Sequence, residues 1–390
     1  MKIGYFSDRF SSRDLKTGNT VNNDSGGGVG EVVYNLAIQM AKKGHEIFIF
    51  TTGDEYSYVN HGNILLIKYK SHFKIHMASI SPELVYKPLF TGVKLDIAHV
   101  HMGVIPGAIA GYLFSKYNKI PLIISHHGDI VPTYGSIPHR ISLYMSVYLS
   151  KYLLSKCNKI IAASESYVNA SKYLKLYQNK ISIIPNGVNL NEINLNSTKI
   201  ENRRNLILPE DKKIILFVGN LTPLKGTHVL LKALHILAKE YSCIHLVVVG
   251  EGKDKGDLIR LSKELDLYEK ITFTGYVTER SKIQYFNAAD IFVLPSYTEA
   301  YPITLLEASA AELPLVVSGL ECFKAIVNDG FNGLITITGD EQDLAKKLLY
   351  LLKNEPKCKE MGRNAKNQIS LLSWEKIASQ TEHLYLDILS

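Results

Sequence analysis

The chain has 390 residues, 46% hydrophobic and 21% charged, which excludes a disordered or fibrous protein and leaves room for two domains with separate cores. No apolar run approaches the ~18 residues of a membrane span, and Cys157, Cys243, Cys322 and Cys358 form no C-x-x-C pair, which argues against a disulfide framework or zinc site and for a reducing cytosol. The net charge of +7 is uneven: residues 1–195 hold 20 Lys and Arg against 12 Asp and Glu, the remainder 24 against 25.

The basic half fits an anionic partner such as a membrane surface or a phosphorylated acceptor. Nucleic acid is disfavoured, because the basic residues form no contiguous Arg/Lys stripe.

The start, "MKIGYFSDRF", reads as a short buried strand rather than a secretory signal. Strands are then expected at "HEIFIFTT", "NILLIKY", "DIAHVH", "PLIISHH", "KIIAAS" and "ISIIP", with a helix from Gly30 to Lys43 closed by Gly44. Most are apolar on both faces, as in a parallel sheet covered by helices on both sides. The polar, Asn-rich stretch "NLNEINLNSTKIENRRNLILPEDKK" reads as a linker. The pattern then restarts with "KKIILFVG", "IHLVVVG", "KITFTG", "DIFVLPS", "LPLVVSG" and "GLITI", and with helices at Thr227–Glu240 and Asp340–Leu352. Two doubly wound α/β domains in tandem are predicted, 1–195 and 196–373, with the ligand beyond the carboxyl ends of the strands.

Several constellations sit at those strand ends. After "FVG", Lys225 and Gly226 open a helix, so a full charge stands beside free amides and a positive dipole end, as an anion site requires. The spacing is not that of a Walker A loop. Gly26, Gly27, Gly28 and Gly30 precede another helix, where backbone amides can approach a ligand, but too far from the preceding strand for a dinucleotide fingerprint. His99, His101, His126 and His127 lie at strand ends; no acidic residue follows at a supporting spacing, so a metal site is set aside in favour of hydrogen bonding to a substrate. The absence of Asp-x-Asp also speaks against a nucleotide-bound divalent cation. In "SYTEAYPITLLEASA", Glu299 falls in the loop after a strand and Glu307 on the helix that Pro302 introduces. The alternatives there are a surface helix with a solvated face, or two acceptor carboxylates for hydroxyls of a sugar and a ribose.

Taken in order, these segments resemble the retaining glycosyltransferases of family 4, with the GT-B fold, over almost the whole length. Glu299 and Glu307 match the Glu-x7-Glu motif. "FVGNLTPLKG" resembles the diphosphate segment, "IIPNGVN" the hinge, "FTGYV" the base-binding loop, "GGGVGEVVYNLA" the glycine loop and "HHG" the acceptor-side histidine. The end, "LSWEKIASQTEHLYLDIL", resembles the last helix, 374–390, which crosses back onto the first domain.

The resemblance implies two Rossmann-like domains facing each other across a cleft. It implies transfer of a sugar from a nucleoside-diphosphate sugar to a saccharide, lipid-linked or small-molecule acceptor, with retention. Lys225 would hold the diphosphate, supported by Gly28. Glu307 would bind the ribose, and Glu299 the transferred sugar. Val277 would line the base pocket and His127 would lie near the reacting carbon. Gly219, Asn220, Ala300, Tyr301, Pro302 and Ile303 complete the expected donor contacts. No metal and no further cofactor are expected, because Lys225 and helix N-termini stabilise the leaving group.

Two departures stand out. Asn220 replaces the usual Arg, and "EAYPI" replaces "EGFG", which stiffens the loop. Asn220 keeps open a catalytically silent nucleotide-sugar-binding protein; an epimerase on the same fold is a further alternative. The amphipathic "HRISLYMSVYLSKYLLSKCNK" reads either as a buried helix or as a contact with an anionic membrane, which would place a cytoplasmic protein at the inner face.

Overall fold

A computed structural model describes residues 1–20, 27–75, 78–103, 105–130, 137–193 and 197–390. The chain divides into two compact units, Met1–Gly187 with Trp374–Ser390, and Val188–Ser373.

The first unit is built on an eight-stranded sheet. Its spatial order is Ile181–Ile183, Lys159–Ala162, Leu122–His126, Ile97–Met102, Lys2–Phe6, Glu46–Gly53, Ile64–Lys70 and Ser57–His61. All neighbours are parallel except the last pair. Ile97–Met102 is buried at every position, because it lies inside the sheet with both faces covered. Ser57–His61 is a largely exposed antiparallel edge, and its polar composition gave no strand signal in the sequence. The helix Gly27–Lys42 turns its buried residues, among them Val32, Val33 and Leu36, to the core and ends before Gly44, whose φ of +87° suits a helix terminus. The last helix, Trp374–Leu389, packs on it. Glu382 of that helix binds Lys43 Nζ and His45 Nε2, each at 2.7 Å, and Tyr385 is fully buried.

The second unit holds six parallel strands in the order Ile271–Gly275, Ile244–Val249, Lys213–Val218, Ile291–Leu294, Leu315–Ser318 and Gly333–Thr336. The Asn-rich stretch read as a linker contains regular structure. Lys199–Asn205 is a helix with a capping box between Thr198 and Glu201. Its Arg203 is buried and donates to Asp290 at 2.7 Å and to the carbonyls of Ala288, Glu210 and Lys212. A buried guanidinium with that many acceptors ties the segment to the strand Ile291–Leu294. The units divide between Gly187 and Val188, whereas the sequence placed the boundary after residue 195.

Candidate active site

In the second unit the strand Lys213–Val218 runs into Gly219, whose amide donates to Val249 O at 3.0 Å, and then into the half-buried Asn220. A single 3-10 turn, Pro223–Lys225, leads to Gly226, the N-cap of the helix Thr227–Glu240. Gly226 has φ of +67°, and a Cβ there would lie 2.0 Å from Pro295 O, so no side chain fits. No side chain caps this helix. Thr227 Oγ1 is buried and bonds no described residue, a polar atom the sequence reading missed.

The neighbouring strand Ile291–Leu294 delivers Ser296 and Glu299 to the same place. Lys225 Nζ lies 2.5 Å from Glu299 Oε1, and Ser296 Oγ donates to that oxygen at 2.8 Å. The Glu299 side chain is 9% exposed, that of Lys225 24%. Tyr297 N–H donates to Leu224 O, which fastens the two loops together. Ala300 is half-buried, Tyr301 buried, Pro302 is the N-cap and Ile303 the first residue of the helix Ile303–Ala310.

That helix buries Leu305, Leu306, Ala308, Ser309 and Ala310, so the solvated-face reading falls. Its Glu307 lies 2.8 Å from Lys282 Nζ, which also meets Glu279 at 2.8 Å. Lys282 and Glu279 belong to the helix Glu279–Ala288, which begins directly after Val277 and Thr278. The two acids of the motif are therefore each held by a lysine. Lys282 and Ser296, which contact these two acids, are not named by the sequence reading. Lys282 and Glu307 lie 25 positions apart on separate helices, so no spacing along the chain pairs them.

In the first unit, Gly28 sits in the first turn of Gly27–Lys42, with open space where a Cβ would be; Gly26 lies outside the described residues. Val32 and Leu36 of this helix line a small cavity together with His101, His126, His127 and Trp374. The four histidines sort into distinct roles. His99 is buried between Tyr385 OH, 2.5 Å from Nδ1, and Ser125 Oγ, 2.8 Å from Nε2. His126 is buried with Nδ1 2.7 Å from Tyr167 OH. His101 Nδ1 lies 3.1 Å from His127 Nε2, and only His127 is half-buried. Burial pushes His99 down to about 3, helped by the nearby His127, and His126 to about 4 against the pull of Asp129. Burial, then His126, pushes His127 down to about 3; His101 is held well below its usual range by burial and by His99 and His127. The cluster is thus neutral at physiological pH. Among the described residues no group of three or more His, Cys, Asp or Glu is arranged to hold a metal ion.

Comparison with known proteins agrees with this layout. The model of the family described as Glycosyltransferase Family 4 matches residues 26–192, and that described as Glycosyl transferases group 1 matches 198–368. An uncharacterized glycosyltransferase of Methanocaldococcus jannaschii is 28% identical, covering 92% of this chain and 94% of that one. The alpha-monoglucosyldiacylglycerol synthase of Acholeplasma laidlawii is 25% identical, covering 93% and 94%. Among solved structures, sucrose-phosphate synthase from Thermosynechococcus elongatus superposes with a TM-score of 0.82 at 21% identity, covering 100% and 99%. Anabaena HepE in complex with UDP-glucose gives 0.76 at 18%, covering 99% and 100%. These two likenesses establish the GT-B fold, and with the family matches the chain belongs to glycosyltransferase family 4, the glycosyl transferases group 1, as a retaining glycosyltransferase.

Proposed function

We propose that this enzyme transfers a hexosyl group from a uridine diphosphate sugar, without a metal, to a lipid or lipid-linked acceptor at an anionic membrane surface. The observation that carries the donor half is the Lys225–Glu299 pair beside the uncapped helix at Gly226. A diphosphate at this helix end takes over the ammonium of Lys225, and Glu299 is released to accept hydrogen bonds from sugar hydroxyls. Thr227 Oγ1 is a further donor in reach of the same turn. Glu307, oriented by Lys282, accepts from the ribose, and His127 contacts the transferred sugar. The charge that develops on the departing diphosphate meets a lysine and a dipole already in place. Uridine is favoured because HepE is seen with UDP-glucose on the same fold.

The acceptor half rests on the helix Ile137–Lys156. Its Leu143, Leu153 and Leu154 are buried, but Ile141, Tyr144, Met145 and Tyr148 are exposed at helical spacing, Ile141 by 59% and Tyr148 by 66%. Exposed Arg140, Lys116 and Lys156 accompany them, and Lys156 Nζ lies 5.5 Å over the ring of Tyr152. An aromatic and aliphatic face with cations beside it suits an anionic lipid interface. The Acholeplasma relative is named for a glucosylated diacylglycerol, which supports a lipid acceptor. Among the described residues no helix is long and apolar enough to cross a membrane.

The test is a thermal-shift series with UDP, GDP, ADP and dTDP, each with and without EDTA, followed by sedimentation with phosphatidylglycerol vesicles. A selective UDP shift that survives EDTA, with binding to anionic but not to phosphatidylcholine vesicles, is expected. A shift with a different nucleotide, or one that requires Mg²⁺, overturns the donor reading; equal sedimentation with both lipids or with neither overturns the membrane reading.

A further inference from the structure

His101 and His127 form a hydrogen-bonded pair whose proton arrangement is decided by burial. His101 sits on the strand Ile97–Met102, opposite Ser125 of the adjacent strand, and is 1% exposed. Its ring is stacked on His99 with centroids 4.3 Å apart and meets the Tyr5 ring edge-on at 5.3 Å. On the other side the His127 ring lies nearly parallel, at an interplanar angle of 11°. The contact joins His101 Nδ1 to His127 Nε2 at 3.1 Å, while His101 Nε2 is buried and bonds no described residue.

Both rings being neutral, two arrangements satisfy the contact. In one, His127 donates from Nε2; His101 then carries its own proton on Nε2, a buried donor with no acceptor. In the other, His101 donates from Nδ1 and leaves a bare lone pair at its Nε2. Both defects cost desolvation, but an orphaned buried N–H is the rarer and costlier of the two. The second arrangement wins. His127 Nε2 then accepts, and the single proton of His127 must reside on Nδ1.

We propose that His101 is a positioning residue that holds His127 as the Nδ1–H tautomer, so that His127 serves transfer as a hydrogen-bond donor to a ligand oxygen and not as a proton acceptor. The catalytic half of this rests on the reading of His127 as a sugar contact; the tautomer itself does not. A donor at this atom matches a sugar hydroxyl oxygen or an oxygen of the departing diphosphate, and both are acceptors.

The experiment is long-range ¹H–¹⁵N correlation on the full chain with ¹⁵N-labelled histidine, without substrate, His127 being assigned by the signals lost in His127→Gln. A protonated Nδ1 and bare Nε2 on His127 are expected. His101→Asn, whose side-chain amide takes the place of Nδ1, should keep that pattern, and His101→Leu should lose it. Steady-state transfer should follow: kcat down about tenfold in His101→Leu with KM for the nucleotide sugar within twofold, and largely recovered in His101→Asn. A wild-type His127 protonated on Nε2 overturns the proposal whatever the kinetics, and this spectrum decides even if the Leu variant does not fold. Full transfer by His127→Ala would instead overturn the part given to His127 in the reaction while leaving the tautomer standing.

Discussion

The ammonium of Lys225 lies 2.5 Å from the carboxylate of Glu299, which joins the ends of two adjacent strands through one ion pair. Both side chains are three-quarters buried or more, so neither group is indifferent to loss of the other. Removing Lys225 strands a carboxylate with Ser296 as its remaining donor among the described residues. Lys225→Ala is therefore expected to lower stability by about 1–2 kcal/mol, discounted for the exposed part of the lysine. It should also lower transfer by at least about 100-fold, the scale of losing one charge-stabilising group. Thermal melts and initial rates measure both. Wild-type rates in Lys225→Ala would remove the pair from the site.

Asn220 stands where the family usually carries arginine, in a half-buried position next to Gly219. If Lys225 is the main cation for the diphosphate, restoring the second one should tighten binding. Asn220→Arg is expected to lower the Kd for UDP by about tenfold, the equivalent of a charge-assisted hydrogen bond of about 1.5–3 kcal/mol after losses. Calorimetric titration reads this directly. Unchanged or weaker binding would mean that the loop does not face the phosphates.

Two glycines separate folding from ligand approach. Gly226→Ala puts a Cβ 2.0 Å from Pro295 O in a left-handed backbone, so the variant should melt several degrees lower or fail to express. Gly28→Ala meets nothing within 4 Å at the first turn of a helix. It should keep or slightly raise the melting temperature. Loss of nucleotide-sugar binding in this stable variant would show that backbone amides near Gly28 touch the donor; unaltered binding would show that they do not.

The four clustered histidines set an acid limit. His99, His126 and His127 titrate in the fold at about 3, 4 and 3, and His101 also well below its usual range. Unfolded, each titrates near 6.5. Between pH 6.5 and 4 the unfolded chain binds more protons, so stability is lost as pH falls, by up to about 1.4 kcal/mol per unit for each group. Asp8 works the other way. Burial raises it to about 7, against the hydrogen bond from Gly107, so it favours the folded state on the acid side. One such group does not offset four. The melting temperature should fall steadily from pH 7 to pH 4.5, and a flat or rising profile would contradict the neutral cluster.

The doubly wound α/β class and nearly all core strands are legible in the amino-acid order alone. Parallel strands covered on both faces must be apolar throughout, and "IHLVVVG" or "KKIILFVG" admits few other readings. It also placed the helices at Thr227–Glu240 and Gly27–Lys42 to within three residues, because Gly226 and Gly44 punctuate them. Ser57–His61 was not legible, since an exposed edge strand buries little and carries no apolar pattern. The stretch taken for a linker looked loose because it is polar, yet Arg203 is satisfied by acceptors as far along the chain as Asp290. The same limit applies to chemistry. Glu299, Glu307, Lys225 and His127 could be named from motifs, but a motif records spacing along the chain and not who is beside whom. That Lys225 meets Glu299, that Lys282 holds Glu307 and that His101 faces His127 emerges from the folded arrangement. Those contacts depend on which strands lie side by side and on which polar atoms packing has cut off from water, and both are settled only once the sheet has formed.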